Sequence, residues 1–160
     1  MPERDIILQS DDAELSAMCT LDFWRATGNG GQKRNKTSSA VRVRLTGTDF
    51  SAEDCTERSQ HRNRANALAK LRMSVALAVR KPFAGLVRQK CAVIHRDYPL
   101  YMAQIFDALA ESGWEMVSAA EKTGLSRTAL WKILSKDTVV WQEFCRKRQE
   151  NGLVRLEPAK

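Results

Sequence analysis

"RATGNGGQKRNKTSSAVRVRL", residues 25–45, is the stretch on which the reading of this chain turns. It crowds Gly28, Gly30, Gly31 and Gln32 together, follows them with Lys33, Arg34 and Lys36, and then alternates Val41, Val43 and Leu45 with Arg42 and Arg44. A Gly-Gly pair removes two Cβ atoms, so the backbone reaches positive φ and brings its N–H groups to contact distance of a ligand. Gln32 is then the functional side chain at the tip, and the cations behind it suit phosphates. The alternation that follows is the mark of a half-buried strand. The same mark precedes the glycines: "CTLDFWR", residues 19–25, sets Cys19, Leu21 and Phe23 against Thr20, Asp22 and Trp24. Two strands, each with one buried face, therefore bracket the glycine segment.

Outward from this pair, "DDAELSAM", residues 11–18, predicts a short helix begun by Asp11 or Asp12, and Gly47 turns the chain into a short third strand. From Ser59, a helix N-cap, the period changes to three and four. Arg64, Leu68, Leu71, Val75 and Ala78 share one face, while Arg58, Arg62, Asn63, Asn66 and Lys70 point elsewhere. The expected fold class is α+β, with a mixed or antiparallel sheet of three or four strands covered by one long helix over residues 1–82. Pro82 and Gly85 mark a linker over 83–96. Residues 97–160 read as an all-α unit. Met102, Ile105, Phe106, Leu109 and Ala110 form one stripe that ends at Gly113. "VSAAEKTGLSRTALWKIL" has helix-turn-helix spacing, with Gly124 at the turn, Ser126 capping the second helix, and Arg127, Thr128 and Lys132 as outward contacts. A last helix from about Thr138 to Gln149 packs Val140, Trp141 and Phe144.

Charge narrows the partners. Residues 1–24 hold one base and six acids, residues 25–90 fifteen and four, and residues 91–160 ten and nine, so the middle of the chain carries the whole net charge of +7. Such a field attracts a polyanion, and no amphipathic lysine-rich helix points to a membrane instead. The four cysteines are widely spaced without a C-x-x-C, and the chain has two histidines, which argues against a metal site and for reduced thiols. No apolar run is long enough to span a bilayer, and the acidic N-terminus is unlike a signal peptide, so the expectation is a cytoplasmic protein.

The two coupled motifs "GNGGQKRNKTSSAVRVRL" and "ERSQHRNRANALAKLR" carry a resemblance. Over about residues 19–80 the chain resembles the catalytic domain of class I peptide chain release factors and their codon-independent ribosome-rescue relatives. By that resemblance Gly30, Gly31 and Gln32 are catalytic, act in the peptidyl-transferase centre, and need no cofactor or metal. Arg25, Lys33, Arg34, Asn35, Lys36, Arg58, Gln60, Arg62 and Asn63 are expected to contact rRNA or tRNA. His61 stands where the family often has histidine, a surface position. The partners implied are the large ribosomal subunit and peptidyl-tRNA. Two positions depart from the family: Asn29 replaces the proline before Gly-Gly-Gln, and Lys33-Arg34 replaces His-Val after it.

About 18 residues precede the first strand, leaving no room for a codon-reading domain, and the C-terminal stretch "CRKRQENGLVRLEPAK" mixes bases with acids. The expected activity is thus codon-independent peptidyl-tRNA hydrolysis in ribosome rescue. Two alternatives remain: a non-catalytic ribosome-binding factor, and a regulator whose helix-turn-helix reads DNA. The near-neutral charge of residues 91–160 disfavours a DNA partner.

Overall fold

The computed structural model describes residues 3–25 and 39–159. They divide into two compact units, Met1–Val75 and Ala76–Lys160.

The first unit begins with helix α1 (Arg4–Gln9), which the sequence pattern did not announce. Six residues form a stable helix only by tertiary burial, and here Ile7 and Leu8 are buried completely. Helix α2 (Asp12–Ala17) is set by a capping box: the Asp11 carboxylate accepts from the N–H groups of Ala13 and Glu14, and the Glu14 carboxylate accepts from Asp11 N–H. Strands β1 (Cys19–Trp24), β2 (Ala40–Leu45) and β3 (Ser51–Asp54) form an antiparallel sheet in that order. The first register runs from Cys19 opposite Leu45 to Trp24 opposite Ala40, and the second pairs Val41 with Asp54. The chain turns from β2 to β3 at Gly47, whose φ of 73° suits glycine.

Helix α3 (Gln60–Ala78) follows Ser59, whose hydroxyl accepts the Arg62 N–H at 3.4 Å. Ala67, Leu68, Leu71 and Val75 make its buried face against the core that contains Val41, Val43 and Leu45. Two expectations for this helix are corrected: Asn63 lies on the buried face and Ala78 is exposed. Arg64 and Arg72 tie α3 to α2 through Ser16 and Asp12. The fold of this part is α+β, a three-stranded antiparallel sheet with one long helix.

The second unit is helical. Residues 79–97 form no regular element. They are held to α4 (Tyr98–Glu111) by Lys81 N–H on the buried carboxylate of Asp107 (3.0 Å), by Phe83 N–H on Glu111 (2.8 Å), and by Val87 N–H on Gln104 (2.7 Å). Tyr101, Met102, Ile105, Phe106 and Leu109 of α4 are fully buried, and Phe106 meets Trp114 edge-on at 5.6 Å. Helix α5 (Met116–Thr123) ends at Gly124 in the left-handed conformation, and Ser126 caps α6 (Arg127–Ser135) by accepting the Ala129 N–H at 3.1 Å. Helix α7 (Thr138–Glu150) is capped by Asp137 and buries Val140, Trp141 and Phe144.

Candidate functional site

The site is built where β1 ends and β2 begins. Trp24 opposite Ala40 is the last rung, so Arg25 and Ser39 flank the glycine segment. Gly30, Gly31, Gln32, Lys33, Arg34, Asn35 and Lys36 lie outside the described residues. The frame around them is described. Asn63, in the first turn of α3, has no exposed surface. Its amide nitrogen donates to the carbonyl oxygens of Ser39 at 2.7 Å and Glu57 at 2.9 Å, and its oxygen accepts the Glu57 N–H at 2.8 Å. One side chain thus joins the foot of β2, the turn before α3, and α3 itself. Asn63 was expected to contact RNA; with its amide used on buried backbone groups, its place is internal support instead.

Arg25, Arg58, Gln60, His61 and Arg62 are all exposed. Arg25 is at the end of β1, and the others are at the start of α3, which the Ser39–Asn63 bond brings to the same end of the sheet. Glu57 is the acid among them, 3.7 Å from Arg62. The outer face of β2 carries Arg42 and Arg44, and both are paired with acids. Arg42 pairs with Glu53 at 2.7 Å, Arg44 pairs with Asp22 at 3.3 Å, and the Arg42 guanidinium lies 5.2 Å from the Trp24 ring centroid. The strand register supplies one acid for each arginine, which cancels that charge. A cleft of about 430 Å³ follows this face toward the β2–β3 turn, lined by Arg44, Thr48, Asp49 and Phe50 among others, at the end of the sheet away from Ser39.

Behind the sheet, Asp54 ends β3 almost wholly buried. Burial raises its pKa, but hydrogen bonds from Lys70 (2.6 Å), Thr56 (2.7 Å) and Asn66 (3.4 Å) outweigh that and hold it at about 2. This anchors β3 to the middle of α3 while Asn63 anchors β2 to its start.

The stretch that carries these elements is similar in sequence to known proteins. Residues 11–85 match the RF-1 domain family. Over these residues the chain is similar to class I peptide chain release factors. The chain is 42% identical over 84 residues to peptide chain release factor 1 of Leptothrix cholodnii, a stretch covering 50% of this chain and 23% of that protein. It is 45% identical over 67 residues to peptide chain release factor 1 of Variovorax paradoxus, covering 42% and 17%. To peptide chain release factor 2 of Campylobacter fetus subsp. fetus it is 40% identical over 70 residues, covering 44% and 18%. The chain therefore spans less than a quarter of the length of each of these relatives.

Within the release-factor domain, sequence reading missed the part played by Ser39. No side-chain pattern marks it, because its link to Asn63 is a backbone carbonyl. Beyond the release-factor domain, Arg127 and Thr128 at the start of α6 and Lys132 in its last turn are exposed. Trp131, next to them, donates its indole N–H to the Glu157 carbonyl at 2.9 Å. None of the described helices is long and apolar enough to cross a membrane.

Proposed function

We propose that this chain hydrolyses the ester between a nascent peptide and tRNA in the large ribosomal subunit, without reading a codon, as a ribosome-rescue factor in the cytoplasm. The observation that carries the reading is the release-factor domain with both of its motifs, joined by Asn63 across to Ser39.

In this mechanism the Gly30-Gly31 backbone enters the narrow peptidyl-transferase centre and presents the Gln32 N–H to the oxygen charge that develops on the ester carbonyl. The Gln32 amide positions a water molecule for attack on that carbon. The C–O bond to the tRNA ribose breaks, the ribose oxygen takes up a proton, and the peptide leaves as its carboxylate. Acid and base groups come from rRNA and the tRNA sugar. Arg25, Lys33, Arg34, Asn35, Lys36, Arg58, Gln60 and Arg62 hold RNA around the segment, and the helical unit recruits the protein.

The test is release of labelled peptide from ribosomes stalled with peptidyl-tRNA, with sense, stop or no codon in the A site. The expected outcome is release at similar rates in all three. Gln32→Ala should slow it on the order of 100-fold, the usual cost of losing a positioned group, and Gly31→Ala should slow it further because a Cβ blocks the backbone conformation. Release by the wild type only at stop codons would overturn codon independence. Wild-type rates in both variants would overturn the catalytic assignment and favour a non-catalytic ribosome factor.

The DNA-binding alternative draws on the exposed Arg127, Thr128 and Lys132. Ten bases against nine acids over residues 91–160 leave it without the electrostatic footprint that DNA binding uses.

A further inference from the structure

Phe23 is out of place for its pattern. It alternates with Asp22 and Trp24 as a core residue should, and its cross-strand partner Val41 is completely buried, yet Phe23 itself is 48% exposed. Leu21 on the same face is only half-buried. The neighbouring aromatic, Trp24, is different: it is half-buried on the other face, with its ring beside the Arg42 guanidinium that Glu53 fixes by two hydrogen bonds. Trp24 is therefore engaged, and Phe23 presents an open aromatic surface held on a strand.

Its surroundings specify what would cover it. Phe23 sits one rung from the Trp24–Ala40 end of the sheet, the end that also presents exposed Arg25 and, through the Ser39–Asn63 bond, exposed Arg58, His61 and Arg62. An exposed ring on a sheet whose nearer end carries exposed arginines fits RNA, whose unpaired bases stack on aromatic side chains while arginines take the flanking phosphates. An apolar protein partner has no use for those charges.

We propose that Phe23 is a stacking platform for one unpaired nucleobase of large-subunit rRNA, with Arg25 on a phosphate beside it. This assignment rests on the ribosomal reading above and adds to it a base contact outside the Gly-Gly-Gln segment.

The test measures binding of the full-length protein to vacant large subunits, free of tRNA, by Phe23→Leu, Phe23→Trp and Arg25→Gln variants across a salt series. Phe23 is half-exposed, so Phe23→Leu should keep the fold, which the thermal midpoint checks. The expected result is about tenfold weaker binding for Phe23→Leu with an unchanged salt slope, in keeping with the loss of one base stack. Phe23→Trp should bind at least as well as wild type, and Arg25→Gln should flatten the slope by about one phosphate's worth. Wild-type affinity for Phe23→Leu would overturn the proposal and leave the hydrolase reading intact. So would a loss seen only when peptidyl-tRNA is present, which would place the base on tRNA. Failure of the wild type itself to bind vacant subunits would overturn both.

Discussion

Asn63 and Asp54 are polar residues whose burial holds the release-factor domain together. Asn63 satisfies two carbonyls and one N–H where the turn before α3 packs against the foot of β2. Asn63→Ala should lower stability by about 2–3 kcal/mol, because buried groups left without partners cost their desolvation. Urea unfolding measures this, and a loss below about 0.5 kcal/mol would show that water replaces the amide. Asp54 makes stability depend on pH. Its folded pKa of about 2 lies below the ordinary aspartate value of 3.8, so its stabilisation is present above pH 4 and is lost as pH falls through 2. The effect is on the order of 2 kcal/mol. The wild-type urea midpoint should fall between pH 5 and pH 2, and Asp54→Asn should start lower at neutral pH and show a shallower fall.

Among the helices, α7 depends on its first turn. The Asp137 carboxylate accepts the N–H groups of Val139 at 2.9 Å and Val140 at 3.4 Å, next to the buried Val140, Trp141 and Phe144. Asp137→Ala should cost about 1 kcal/mol, and Asp137→Asn, which keeps an accepting oxygen, should cost less. Thermal unfolding of the two variants compares them directly. At the other end of α7, Arg148, nearly buried, donates to the Trp114 carbonyl at 2.7 Å and the Val154 carbonyl at 3.2 Å, and lies 5.6 Å from the Phe144 ring centroid. One of the bases in the C-terminal stretch is thus a core residue and does not belong to the surface charge.

Summed over the chain, the net charge of +7 is a poor guide to where RNA would be held. Arg42 and Arg44 are neutralised across the sheet, Arg72 pairs with Asp12, and Lys70 with Asp54, whereas Arg25 and Arg58 stand exposed at one end of the sheet beside Arg62, which is more exposed than Arg42 or Arg44 and has Glu57 at 3.7 Å. Replacing Arg58 and Arg62 together by Gln should therefore reduce the slope of log affinity against log salt for ribosome binding by about 0.7–0.9 for each phosphate no longer neutralised. Replacing Arg42 and Arg44 should leave the slope nearly unchanged. Equal slopes for both double variants would mean that the exposed arginines face solvent when bound.

Features that depend on neighbours a few positions away can be read directly along the chain. The start of α2 at Asp11 or Asp12, the turn at Gly124, the Ser126 cap and the alternation of Val41, Val43 and Leu45 all need only the local chain, and each was legible. The two motifs were legible as a family signature for the same reason. Other features arise only when distant segments pack. Strand register put Asp22 and Glu53 against Arg42 and Arg44, and turned an apparently basic face neutral. The approach of α3 to the foot of β2 buried Asn63, which by helical period alone belonged outside. The edge position of β1 left Phe23 uncovered although its alternation placed it in the core. Periodicity fixes the direction of a side chain relative to its own element, but burial and charge pairing depend on which other element lies opposite, and that is set only by the packing of residues far apart in sequence.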